Sequence, residues 1–218
     1  MRERTSRVLY AYWNEVRGDR MAPRRFDIEP ARISEILSET FILEIEEGAT
    51  RFRLAGSRIT EHLGLELRGV AITDLWPEQD RARLTPVLSS VVEQGGVGLI
   101  RFTAQEDERP AEAQRVSSFE MLLLPLIHTE GKVTRILGAV SNSSPPHWLG
   151  SVALPVRTID EASTIWPDGR PFAAVEAADR QAPFRPAYAA ARIVRFDRRQ
   201  FRVFDGGLEP GRNERGEK

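Results

Sequence analysis

The sequence predicts an α+β fold: a five-stranded antiparallel sheet with helices on one face, N-terminal helices ahead of it and an irregular extension behind. Two features carry this expectation. Strand-like segments come in two groups, a pair before residue 56 and three after residue 96, and the stretch between them has helical spacing; this order places the helices on one face of an antiparallel sheet. The chain of 218 residues is also 41% apolar, enough for one core of ordinary size with extensions, or for two small ones.

The elements follow in order. From Ser6 to Arg17, Leu9, Tyr12, Trp13 and Val16 recur at i, i+3, i+4 and i+7, so one helical face carries two large aromatics while Arg7, Asn14 and Arg17 lie on the other. Gly18 stops this helix. Residues 21–30 hold two prolines and several charges and read as an extended connector, in which Arg24, Arg25 and Asp27 form either a recognition surface or local ion pairs. Pro30 then opens a helix whose buried stripe is Ile33, Ile36 and Leu37. The strand at 41–46 turns through Glu47-Gly48 into Arg51-Phe52-Arg53-Leu54-Ala55, so the two pair as a hairpin; alternation puts Phe52 and Leu54 on one face and Arg51 and Arg53 in water.

Gly56 ends that strand, and Ser57 begins a short helix in which Ile59 and Leu63 lie one turn apart, closed by Gly64. A further helix over 83–94 shows Leu84, Val87, Leu88, Val91 and Val92 at helical spacing, with Pro86 expected to kink it or to start a new helix after Thr85. Residues 97–103, 116–126 and 133–140 are the remaining strands, with Pro125 expected at a bulge or a free edge. Past Asn142, Ser143-Ser144-Pro145-Pro146 marks a boundary. Beyond it an Ala-, Pro- and Arg-rich extension shows little periodicity, apart from a hairpin-like pair at 193–196 and 201–204, and 209–218 reads as disordered. The division expected is a helical flank over 1–40, a core over 41–142, an extension over 143–208 and a tail over 209–218.

The central stretch resembles the middle of a PAS domain: Leu63-Gly64-Leu65-Glu66-Leu67-Arg68-Gly69, a small apolar turn at Ile72 to Trp76, and Pro77-Glu78-Gln79-Asp80-Arg81 at a helix start. Tyr12-Trp13, Val16-Arg17-Gly18, Asp27-Ile28, Arg51 to Gly56, Glu120 to Leu126 and Arg135-Ile136-Leu137-Gly138 look like a subfamily of small, stand-alone proteobacterial PAS proteins. The resemblance covers roughly the first two thirds of the chain. It implies the strand order 2-1-5-4-3.

Composition narrows the function. A net charge of -1 with 29% charged residues gives no overall pull toward nucleic acid or an anionic membrane. No segment approaches the ~20 apolar residues of a membrane span, and the first residues do not form a signal peptide, so a cytoplasmic protein is expected. Cysteine is absent, which excludes thiolate nucleophiles and the cysteine-dependent flavin photochemistry of light-sensing PAS domains. His62, His128 and His147 fall on separate elements with no second ligand at i+3 or i+4, so no metal is expected. His62 lies where some haem-binding PAS relatives place an axial ligand, but their motif is not evident and no cofactor is expected.

Glu120 is the one acid in an apolar frame. It reads as a solvent-facing strand residue, the alternative being a buried carboxyl that meets a ligand polar group. Arg192, Arg195, Arg198, Arg199 and Arg202, interleaved with Phe196 and Phe201, form a local basic cluster diluted by Asp197 and Asp205; they read as the wet face of a hairpin and not as a nucleic-acid site.

Two functions fit. The first is a non-catalytic sensory or interaction module of bacterial signal transduction that acts on an unidentified signalling protein. A small apolar ligand would sit against Phe52, Leu54, Ile59, Leu63, Leu75, Trp76, Leu88 and Val92, unless these are plain core; Leu9, Tyr12, Trp13 and Val16 either pack on their own domain or join two copies in a homodimer. The second is a small cone-shaped α+β enzyme, an isomerase or dehydratase with an Asp-His pair, for which the sequence offers no persuasive pair. Helices in the middle of the strand order favour the first, and helices all preceding a six-stranded sheet favour the second.

Overall fold

The computed structural model describes residues 1–46, 48–106, 115–129, 131–142 and 144–172. Its centre is one antiparallel sheet built from β1 (Thr40–Glu46), β2 (Ala49–Ala55), β3 (Val97–Gln105), β4 (Val116–Thr129), β5 (Lys132–Ser141) and β6 (Val156–Ile165). The order across the sheet is β2-β1-β5-β4-β3-β6. Its first five places follow the expected order, and the sixth strand corrects the expected count of five.

Strand β6 lies in the segment expected to be irregular. Val156, Thr158, Ile159, Thr164 and Ile165 supply β-branched side chains, but Asp160-Glu161 interrupts their alternation and hides it in the sequence. The structure absorbs that interruption with a register shift opposite Arg101 and Phe102. Among the described residues three α-helices flank these strands: α1 (Arg4–Arg17) precedes β1, and α2 (Ser57–Leu63) and α3 (Glu78–Gln94) come between β2 and β3. Helix α3 closes the free edge of β6. The Ile159 amide donates to Asp80 Oδ2 at 3.0 Å, and the Arg83 guanidinium donates to the carbonyls of Ile159 and Asp160.

The central helices cover one face of the sheet, as expected, and the N-terminal helices cover the other. On one side α2, the short 3₁₀ turn Ile72–Leu75 and α3 pack on Phe41, Phe102, Phe119, Met121 and Ile136. On the other, Leu9, Tyr12 and Trp13 of α1 and Ile33 and Ile36 of the 3₁₀ segment Pro30–Glu39 pack on Leu122, Leu124, Leu126 and Leu137. Central strands buried on both faces become continuous apolar runs, and Met121 to Leu124 in β4 is such a run. The order nevertheless keeps α2 and α3 between the two strand groups, which the enzyme-like arrangement lacks.

Two prolines behave differently from each other. Pro86 sits inside α3, which runs through it as one helix. Pro125 pairs with Ile136 of β5 but lies beyond the Gly98–Leu123 pair that starts the β3 ladder, so its missing N–H leaves no partner strand wanting on that side. The Trp13 indole donates to the Pro125 carbonyl at 2.9 Å, and the connector adds a bridge from the Ile127 amide to the Pro23 carbonyl at 3.0 Å. In that connector Asp27 accepts from Arg20 at 2.7 Å and from the Arg24 amide at 3.0 Å, whereas the Arg24 and Arg25 side chains make no ion pair among the described residues. No helix among the described residues is long and apolar enough to cross a membrane.

Candidate functional site

The space between the sheet and the central helices is built from facing aromatics. Phe102 of β3 and Phe119 of β4 are cross-strand partners, and their rings stack at 5.1 Å. Trp76 follows the 3₁₀ turn, whose Thr73 carbonyl accepts the Trp76 amide at 3.2 Å; this holds the indole edge-on to Phe102 at 5.0 Å and 87°. Phe41 and Phe52 meet at 5.2 Å across the β1/β2 pair. Contacts of these geometries contribute about 0.5–1.5 kcal/mol each beyond area burial.

Phe52, Ile59, Leu63, Leu75 and Trp76 are buried in this interior, and Leu88 and Val92 pack partly buried against it. Leu54 is not among them: it is 64% exposed on the opposite face. Leu43 opposes Phe52 while Ile42 opposes Leu54, so Arg53 is an extra residue in a bulge, and one added residue reverses the side on which every later side chain falls.

Trp76 is 2% exposed, and its indole nitrogen has no hydrogen-bond partner among the described residues. An unsatisfied buried donor costs about 1–3 kcal/mol, which an acceptor brought by a ligand would recover. The half-buried His62 ring lies 6.3 Å from Phe119, and burial pushes its pKa below the ordinary histidine value, with the Arg58 charge adding to the effect.

The buried charged residues of the described chain are Arg17, Asp80, Glu120 and Arg157; the first three are held by hydrogen bonds, while Arg157 keeps an Nε with no partner among the described residues. Arg17 makes two 3.0 Å bonds to Asp168, Asp80 holds the β6 amide, and Arg157 donates to the Pro155 carbonyl at 3.3 Å. Glu120 is 2% exposed and accepts the backbone N–H groups of Arg2 and Glu3 at 2.9 and 3.3 Å. The solvent-facing reading of Glu120 is therefore wrong. Strand alternation turns it away from Phe119 correctly, but the chain entering α1 covers that side of the sheet. No group of three or more His, Cys, Asp or Glu side chains among the described residues is arranged to hold a metal.

With the fold and its interior in view, comparison with known families is informative: a PAS domain family model matches residues 1–141. The chain belongs to the PAS domain family. No curated protein and no solved structure matches it.

In this PAS domain the four residues named as a dimer contact face inward. Leu9 and Trp13 are fully buried, Tyr12 nearly so, and Val16 packs against the same cluster, all within one chain. The arginine cluster at 192–202, the hairpin around it and the tail at 209–218 lie outside the described residues.

Two cavities open on the sheet, the smaller reaching Phe102 and Phe119 and the larger reaching Phe52. The smaller, about 310 Å³, is bounded by Arg2, Arg101, Ser118, Glu120 and Glu161. The larger, about 550 Å³, lies over β1 and β2 and is lined by Arg25, Arg51, Arg53, Arg68 and Arg135 with three glutamates. Sequence reasoning placed Arg51 and Arg53 in water but missed the convergence. The available signal was the hairpin itself, which sets Glu44 opposite Arg51, while Arg135 arrives only through the nonlocal β1/β5 pairing.

Proposed function

We propose that this PAS domain is a non-catalytic sensory or interaction module of bacterial signal transduction, cytoplasmic, and related to the small stand-alone proteobacterial PAS proteins. It acts by contact with a signalling protein. The observation that carries the reading is the chemistry of the interior: the aromatics Trp76, Phe102 and Phe119 fill it, and the buried charges elsewhere are tied up in holding strands and termini together. General acid–base work needs two titratable groups converging on a reacting atom, and the buried carboxylates Asp80 and Glu120 are committed to backbone amides.

A small apolar ligand entering between the sheet and the central helices would meet Ile59, Leu63, Leu75 and Trp76, and an acceptor atom on it would take the unpaired indole N–H. Native mass spectrometry of freshly purified protein tests both parts. An added mass that is lost in Trp76→Phe supports the ligand, and the bare chain mass leaves protein contact as the mode of action. Turnover of a substrate abolished by one interior substitution would overturn the reading.

A further inference from the structure

The outer face of the β1/β2 hairpin carries an arginine-lined groove that the sensory reading does not use. Glu44 and Arg135 are cross-strand partners, and they alternate with Leu43 and Ile136, which point into the central-helix core; the groove therefore opens on the face that carries α1. The bulge at Arg53 turns Leu54 onto the same face.

Five arginines meet three glutamates in a chain whose net charge is -1, so positive charge is concentrated here. Glu44 is shared by Arg53, at 2.8 Å, and by Arg135. Bonding from Arg53 and the charge of Arg135 hold the Glu44 carboxyl below the usual carboxylate range, so it stays ionised and fixes both guanidinium groups. Glu66 accepts an amide of its own loop, that of Arg68, at 3.1 Å. The remaining cations keep spare donors. Among the described residues the Arg51 guanidinium bonds only the Gly69 carbonyl and Arg25 and Arg68 make no ion pair, whereas Arg135 is held in the groove wall by Glu44.

We infer that this groove docks an acidic segment of a partner protein, whose carboxylates meet Arg25, Arg51 and Arg68 while an apolar side chain covers Leu54. The groove is open to solvent, where a lone small anion stays hydrated and a single surface ion pair contributes little. A chain laid along it makes several such contacts at once and excludes water from the exposed leucine, as arginine clusters do with acidic motifs. The inference rests on the reading of the chain as an interaction module and names the surface that module uses.

The test has two arms. Anisotropy with a labelled eight-residue peptide of glutamate and leucine is expected to show binding that R25E/R68E weakens at least about tenfold, the factor that corresponds to ~1.4 kcal/mol, with an unchanged melting temperature. Binding is also expected to fall as salt rises. Equal binding to the variant, equal binding of a peptide with lysine for glutamate, or displacement by inorganic phosphate at matched ionic strength would overturn the docking site. In the second arm a photo-cross-linking residue replaces Leu54 in the full chain in its native cells, or replaces Val8 on the exposed side of α1. An adduct from position 54 that R68E abolishes supports the groove. An adduct from position 8 alone overturns the groove and leaves the module reading intact, and no adduct from either position, with the peptide unbound, removes both.

Discussion

The ring of Phe41 lies across the backbone of Gly138: a β-carbon built at that glycine would overlap the Phe41 ring and crowd the Leu122 carbonyl. The two are cross-strand partners of β1 and β5, and the row continues through Leu123 to Gly98, over which Val87 of α3 sits. Large side chains on the row rest on glycines, which is how two bulky groups fit against a sheet without widening the core. Gly138→Ala is expected to destabilise the domain by about 1–3 kcal/mol through overpacking, measured as a lower urea midpoint. Phe41→Leu in the same chain should recover part of that loss, because the two substitutions share one contact.

Glu120 anchors the entry to α1. Glu120→Ala leaves the Arg2 and Glu3 amides without their acceptor, and the expected loss is about 1–3 kcal/mol together with faster hydrogen exchange over residues 2–6. Glu120→Gln keeps an acceptor oxygen and should cost less. A negligible loss in Glu120→Ala would show that the amides do not depend on the carboxyl.

His62 should make stability depend on pH. Its folded pKa lies below the unfolded value of 6.5 because burial disfavours the charged ring, with Arg58 acting the same way and Glu39 and Glu61 opposing. Between the folded pKa and 6.5 the unfolded chain binds more protons, so stability is complete above 6.5 and falls as pH drops through that window. Chemical denaturation at a series of pH values should show this slope, and His62→Gln should flatten it.

Trp76 carries both packing and an unmet donor. Trp76→Ala is expected to cost about 3–5 kcal/mol, as for other buried aromatics. In Trp76→Phe the cavity cost is partly offset because the unpaired N–H leaves with the indole, and the urea midpoint should fall between those of the parent and the alanine variant.

What the sequence made legible was local. The α1 stripe of Leu9, Tyr12 and Trp13, the hairpin around Gly48 and the turn from Ile72 to Trp76 all follow from spacing within a dozen residues, and the structure keeps them. What it concealed depends on partners far along the chain. Leu54 shares its parity with Phe52 until a bulge changes it, and nothing in the strand's own composition announces one extra residue. Strand β6 is held by Asp80 and Arg83, about 77 residues earlier, while Asp160 and Glu161 disguise it as a loop. Glu120 was placed on the correct side of β4, but its burial comes from the first residues of the chain. The aromatic interior could be anticipated because apolar periodicity reports it. The arginine groove could not, because it needs the pairing of β1 with β5 before Arg135 meets Glu44.

The indole of Trp13 clasps the carbonyl of Pro125, on the same strand whose Phe119 ring helps to fill the aromatic interior. The first helix therefore rides on β4. Leu9 and Trp13 share one buried cluster with Leu122 and Leu124 of that strand, so α1 cannot peel away without uncovering the outer side of β4.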